Sequence, residues 1–436
     1  VTEVEVPEET RNFGRELRSR RLDAGLSLEQ LGQRVHYSKS QLSKVERGLK
    51  RPTPELARLC DAQLKADGAL ADLIPARSSH PSPVSPGHDS EVWLMHVDKD
   101  GSSSIQRMTR RRVISAGAAS ALALQVSDGL VSPPPDETAA TVVDAARLVF
   151  DQLRQLGQAS GPAGVLPALA AQAHSLEQLA THTGPHTRRA LLLIASRYAE
   201  YAGWMAQECG KDGMARWWTQ RAARLADVGD DPDLATYANV RHSLISLYRG
   251  DVTESGQLAE QALRSDASSR VRGLAAQHLA QSAAVAGDYT ACMRSLDRAR
   301  ELLARDVADP AQPVLGTSHL PDVVSMFTGW CLYDLGRPAQ AAALLDKETS
   351  RVPAHAFRTR GRHNVRRALA HAAAGEVDHA CEIASEALTS VGLTRSATVT
   401  ADLRRLSHTL GRHRDRPSVR ALAPDLADAI ACTTAS

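Results

Sequence analysis

The charged side chains of this 436-residue sequence are unevenly placed. Between Arg11 and Arg58 stand 12 Lys and Arg against 5 Asp and Glu, a local excess of +7, whereas the whole chain carries only +2. Cations concentrated in this way neutralise phosphates and release counterions, so one end of the chain has the footprint of a polyanion-binding module. Catalytic patterns are missing. There is no Walker loop, no G-x-S-x-G, no H-E-x-x-H and no C-x-x-C, so the expectation is a non-enzyme without a cofactor. The six cysteines (Cys60, Cys209, Cys292, Cys331, Cys381, Cys432) never fall in a close pair. Metal ribbons and disulfide scaffolds need such pairs, so buried free thiols are expected instead. Of the 16 histidines, His174, His182 and His186 lie near loops without paired acids or thiols, and no metal site is expected.

The elements that must position the basic residues read as short helices. Helix one is expected from about Thr10 to Ala24, with Phe13, Leu17, Arg21 and Leu22 along one face, and Gly25 ends it. Ser27 is placed to cap helix two, with Glu29 or Gln30 completing the first turn, and His36-Tyr37 forms the next turn. Ser38 can cap helix three, Gly48 stops it, and Pro52-Thr53-Pro54 opens helix four, with Leu56, Leu59 and Leu64 facing inward. Five helices in about 65 residues fit such a domain.

This run resembles the phage-repressor, Cro-like (XRE) helix-turn-helix family. The resemblance rests on Leu17-Arg18, Arg21, Gly25-Leu26-Ser27, Leu31, Ser38, Leu42 through Gly48, and Arg51-Pro52, with Gly32 where the family usually has Ala. It covers about one-sixth of the chain. The resemblance implies that Arg21 and Glu46 form a buried, structural ion pair, and that helix three enters the major groove of DNA. Lys39, Ser40 and Lys44 then match base-reading positions, with Gln41 close by. Lys can donate to guanine O6 and N7, Gln can pair with adenine, and Ser can serve either. Arg47, Lys50 and Arg51, with Arg15 or Arg18, are candidates for phosphate contacts, which set affinity rather than sequence choice.

Residues 77–137 read as a linker with Pro, Gly and Ser clusters. Within it, Glu91–Val97 is an apolar patch that docks or stays unstructured. Arg110-Arg111-Arg112 followed by Ala116–Leu124 mimics a twin-arginine export signal, but it follows a complete domain and is expected to be a short helix. No apolar run reaches membrane-spanning length, and a cytoplasmic location is expected.

From residue 138 to 432 the pattern is helical, in keeping with 43% hydrophobic but only 4% aromatic residues. Gly210, Gly250, Gly287, Gly336, Gly375 and Gly411 stand 40, 37, 49, 39 and 36 residues apart. Twelve residues after them stand Ala222, Ala262, Ala299, Glu348, Ala387 and Ala423. The long interval holds Asp309-Pro310 through Leu320-Pro321, which reads as an inserted loop. This resembles degenerate tetratricopeptide repeats. The fold class expected is therefore all-α: a five-helix domain over 10–76, the linker, and a helical-repeat solenoid over 138–432. Trp217-Trp218, Trp204, Tyr198 and Tyr201 form the densest aromatic cluster, expected in the core or on the concave face.

The two-part layout resembles peptide-responsive transcription regulators of Gram-positive bacteria. That resemblance implies a double-stranded DNA operator, a homodimer, and a signal peptide or partner protein in the solenoid groove. Asn239 and Asn364 are candidate peptide-clamping residues, and Arg241, His242, Arg366 and Arg367 beside them are candidates for binding a carboxylate. A constitutive protein adaptor tethered to DNA and a small-molecule sensor using the aromatic cluster are the alternatives.

Overall fold

The computed structural model describes residues 8–66, 68–74, 91–97, 103–109, 136–306 and 314–434. The N-terminal unit contains α1 (Glu8–Asp23), α2 (Leu28–Val35), α3 (Lys39–Glu46) and α4 (Pro54–Leu64). Phe13 and Leu17 of α1 bury against Leu31 and Val35 of α2, Leu42 and Val45 of α3, and Leu56 and Cys60 of α4. Leu22 is 57% exposed, because at five residues from Leu17 it has turned off the buried stripe. The Ser27 hydroxyl accepts from Gln30 N at 3.1 Å, and the Gln30 side chain accepts from Ser27 N at 2.8 Å. Both members of a capping box are present. Ser38 caps α3 by accepting from Gln41 N at 3.2 Å. Where a fifth helix is expected, residues 68–73 form consecutive turns. The buried Asp61 carboxylate accepts the backbone N–H groups of Gly68, Leu70 and Ala71, so these turns have no need of a helical ladder.

The expected linker contains an antiparallel hairpin of β1 (Glu91–Val97) and β2 (Ser103–Thr109), with Glu91 opposite Thr109 and Val97 opposite Ser103. The apolar patch therefore pairs its backbone with a second strand, which satisfies donors and acceptors that an isolated extended run would leave open. The expected helix over Arg110–Leu124 lies outside the described residues.

Helices α5 (Asp136–Ala159) and α6 (Pro162–Thr181) lead into six helical hairpins. These are α7 (Pro185–Glu208) with α8 (Asp212–Val228), α9 (Pro232–Tyr248) with α10 (Val252–Leu263), and α11 (Ser269–Ala286) with α12 (Tyr289–Leu303). Then follow α13 (Val323–Asp334) with α14 (Pro338–Thr349), α15 (Phe357–Ala373) with α16 (Val377–Thr394), and α17 (Ala397–Leu410) with α18 (Pro417–Thr434). The first five hairpin glycines take φ between 72° and 90°, but Gly411 stays right-handed at −58° and starts a 3-10 turn. Ala222, Ala262, Ala299 and Ala387 are buried where paired helices cross, as is Glu348, whereas Ala423 in the last hairpin is exposed. The final unit therefore departs from the repeat at both marker positions.

The superhelix closes on itself. Helix α15 packs on α5, and α17 packs on α7. Arg358 of α15 donates to the carbonyls of Gly157 and Ser160 at 2.7 Å each, and its Nη1 reaches Glu208 of α7 at 3.1 Å. A groove that would stay open along its length in an extended solenoid thus becomes a partly open cavity lined by the first helices of the hairpins.

The N-terminal unit sits on the hairpin turns. A Cβ on Gly336 would run into the carbonyl of Arg58 in α4, a Cβ on Gly375 would meet the His36 ring, and one on Gly287 would meet Ala71. Arg412 donates to Glu55 of α4 at 2.8 Å and lies over the Tyr37 ring at 4.3 Å.

Candidate functional site

The first part of the site is the outer face of α3. Lys39, Ser40 and Lys44 are exposed, and Gln41 is half-buried. Lys39 Nζ lies 3.8 Å from Glu29, a surface pair that contributes little energy. Arg15, Arg18, Arg47, Lys50 and Arg51 are exposed around this helix, with Arg15 bonded to Asn12 and Arg47 Nε donating to the Ser43 carbonyl at 3.2 Å. Behind the face, Arg21 Nε and Nη2 donate to the two Glu46 oxygens at 2.6 and 2.9 Å, and Nη1 donates to the Leu26 carbonyl at 2.7 Å. The bidentate pair is buried and braces α1 against α3. Seating on the hairpin turns leaves Lys39, Ser40 and Lys44 facing solvent.

The second part is a cavity of about 140 Å³ inside the closed superhelix. Its charged lining is Arg154, Arg197, Arg241, Arg358, Arg362 and Arg366, with Glu200. Arg197 pairs with Asp231 at 2.9 Å, Arg366 with Asp402 at 2.9 Å, and Arg241 with Glu200 at 3.6 Å. Arg358 and Arg362 share Glu208, whose oxygens also accept from Ser396 and Thr398. Burial alone would raise the Glu208 carboxyl, but Arg362 and Arg358, with the two hydroxyls, hold it down at about 2. The lining histidines are held below their ordinary value. Burial, then the Arg241 charge, lowers His278 to about 3, and burial with Arg366 and Arg362 keeps His363 well below its ordinary value. Trp204 carries Arg241 over its ring at 4.4 Å and Arg362 at 5.2 Å.

The insertion expected in the long glycine interval forms one wall, through residues 314–320. Arg154 donates to the Val314 carbonyl and the Ser318 hydroxyl, and Arg270 to the carbonyls of Leu315 and Thr317. Leu315 is buried beneath this strap.

A chain of ion pairs leads from the cavity to the N-terminal unit. Arg366 binds Asp402, Asp402 lies 3.8 Å from Arg405, and Arg405 binds Asp334 at 2.9 Å. Asp334 lies 4.0 Å from Arg58 of α4. A cleft of about 510 Å³ runs along this chain, and Tyr248, Gln281 and Arg366 line both spaces.

Of the ligand-binding candidates read from the sequence, Arg241 and Arg366 line the cavity, whereas Asn239, His242, Asn364 and Arg367 do not. The reason is helical phase. On α15 the lining residues are Arg358, Thr359, Arg362, His363 and Arg366, and Asn364 falls outside these two rows, while Arg367 continues the Thr359–His363 row beyond the cavity. Arg367 instead pairs with Asp346, which also bonds His371 at 3.1 Å. Asp346, His371 and His379 lie within 4.8 Å of one another, but a guanidinium already holds the carboxylate. The aromatic cluster divides: Tyr198 and Trp218 are buried in the core, and Trp204 and Tyr201 line the cavity. Sequence reading missed Arg154, Arg197, Arg358 and Arg362. For Arg358 and Arg362 the available signal was their i, i+4, i+8 spacing with Arg366, whereas Arg154 and Arg197 stand on other helices, α5 and α7.

Residues 12–74 match the family model of a helix-turn-helix domain. Comparison with curated proteins finds no matching sequence. Among solved structures, the crystal structure of Bacillus thuringiensis PlcR in complex with the peptide PapR7 and DNA aligns over 77% of this chain and 95% of its own. Identity is 12% and the TM-score is 0.29. The chain thus carries a DNA-binding helix-turn-helix domain followed by a helical-repeat domain. Among the described residues no helix is long and apolar enough to cross a membrane.

Proposed function

We propose that this protein is a sequence-specific transcription regulator whose operator binding responds to a signal, a peptide or partner protein, taken up by the helical-repeat domain. The observation that carries this reading is the ion-pair chain Arg366–Asp402–Arg405–Asp334–Arg58, which joins a buried polar cavity to α4 of the DNA-binding unit. A ligand that displaces Arg366 changes what Asp402 and Arg405 must neutralise, and so biases the seating of the helix-turn-helix. Such a shift needs only differential affinity of the ligand for two seatings. Lys39, Ser40, Gln41 and Lys44 read bases, Arg15, Arg18, Arg47, Lys50 and Arg51 hold phosphates, and the chain has no catalytic role. One unit reads one half-site, so the functional species is a homodimer on a two-fold operator.

Selection of bound duplexes from a random pool with the full chain tests the core of this reading. The expected result is enrichment of paired half-sites with centres about 10 base pairs, or a multiple of that, apart. A pool that stays unenriched while binding remains salt-dependent would reduce the protein to a general polyanion binder.

A further inference from the structure

We infer that the cavity of the superhelix is a receptor site for a compact carboxylate, held by Arg241 and Arg154 with its apolar body against Tyr237 and Phe327. The inference rests on the reading of the helical-repeat domain as the signal receptor, and it names the chemistry of the signal.

Three observations carry it. Charge comes first. Six arginines line the space, and the carboxylates paired with them are four: Asp231, Glu200, Glu208 and Asp402. Among the described residues the ion pairs therefore leave six guanidinium groups facing four carboxylates. Arg154, half-buried, accounts for part of this excess: its guanidinium bonds to a carbonyl and a hydroxyl of the 314–320 strap and shares the field of Glu200 with Arg241 and Arg197. Uncompensated buried charge is costly, so the site favours an anion.

Unpartnered donors come second. Arg241 is 1% exposed, and only its Nη2 has a hydrogen bond, to Gln207 at 3.0 Å. Its Nη1 and Arg362 Nε are buried donors without a hydrogen-bond partner, its Nε lies 3.6 Å from Glu200, and His278 Nδ1 and His363 Nδ1 are buried ring nitrogens, donor or acceptor by tautomer, that also lack one. All four residues line the same cavity. Buried polar atoms are satisfied in the great majority of cases, so such a cluster around one space asks for an acceptor there. A carboxylate accepts from guanidinium in the planar, two-oxygen geometry that these groups match best.

Size comes third. A cavity of about 140 Å³ is close to the ~150 Å³ space known to admit one benzene. It holds one ring-sized body with its acid group, and anything longer extends toward the adjoining cleft past Tyr248, Gln281 and Arg366. The apolar lining from Tyr237, Phe327 and Leu274 suits an organic acid better than inorganic phosphate. Either a free small acid or the C-terminal residue of a peptide carries this chemistry.

Calorimetry on the full chain with matched probes tests the inference. The probes are benzoate and phenylacetate against their amides, Ala-Phe with a free or amidated C-terminus, and inorganic phosphate. The acids are expected to bind at least roughly tenfold tighter than their amides, as expected for a charge-assisted bond. Binding of benzoate or phenylacetate identifies a small acid as the source, and binding of free Ala-Phe alone identifies a peptide terminus. Arg241→Met should lose about tenfold or more in affinity. Arg154→Met, at a half-buried position, gives the same readout should Arg241→Met fail to fold. Amides binding as well as acids, phosphate alone binding, no acid binding, or Arg154→Met binding like the wild type would each overturn the inference. Operator binding measured on the same samples separates the two readings: intact operator binding without acid uptake sinks this inference alone.

Discussion

At the scale of single residues, the two arginine systems differ in how far the sequence exposes them. Arg21 and Glu46 lie 25 residues apart within one small motif, so their pairing follows from the local pattern of helices one and three. Arg358 and Glu208 are 150 residues apart and meet only because the superhelix closes, which no local spacing encodes. Arg21→Ala leaves Glu46 buried and unpaired, and should cost about 3 kcal/mol. Urea unfolding of the variant checks this, and a loss below about 1 kcal/mol would show the pair to be solvated. On the outer face, Lys39→Ala or Lys44→Ala should relax sequence preference, whereas Arg51→Ala should weaken binding to all duplexes. Competition against mutated operators distinguishes these effects, and unchanged preference in the Lys variants would remove α3 from base reading. Buried histidines add a pH signature. His242 is lowered to about 4, by burial and then by Arg216 and Arg241, and His278 to about 3. Unfolding raises both to about 6.5, so the unfolded chain takes up protons that the folded chain refuses. Their contribution is complete above that value and is lost as pH falls toward 3, each costing about 2 kcal/mol by pH 5. Stability measured at pH 7 and pH 5 should fall less in His278→Asn than in the wild type; equal slopes would show His278 to be protonated in the fold.

At the scale of elements, the hairpin glycines were readable because a left-handed helix end has few substitutes. Gly411 broke the rule: its turn is completed by right-handed 3-10 residues, so the same letter marks a different geometry. The β-hairpin escaped notice because its second strand, Ser103–Thr109, is largely polar and gains its conformation from pairing with Glu91–Val97. Gly336 shows a second use of glycine. Its φ of 75° suits the turn, while its missing side chain lets the Arg58 carbonyl approach. Arg412 supplies the polar counterpart by joining Glu55 and Tyr37. Arg412→Ala should loosen α4 and the His36-Tyr37 turn without unfolding the repeats. Hydrogen exchange is the measurement, with amides of residues 54–64 expected to exchange faster and those of α7 and α9 unchanged. No change at 54–64 would mean that the interface is held elsewhere.

At the scale of the whole molecule, helical content and two-part organisation were legible, because repeat spacing and charge asymmetry are one-dimensional properties. Closure of the superhelix was not, since it depends on how small rotations accumulate over six hairpins. Closure turns an open groove into a cavity, and the hairpin turns become the seat of the DNA-binding unit. In the function proposed above, Asp402, Arg405, Asp334 and Arg58 are the link between signal and operator. The most direct test of this linkage is a titration of the selected operator duplex with the full chain, with and without extract of the native cells. Wild-type affinity should change when the extract is present, and the change should disappear in Asp334→Asn, which keeps the reading face of α3 intact. Identical affinities with and without extract would contradict the account.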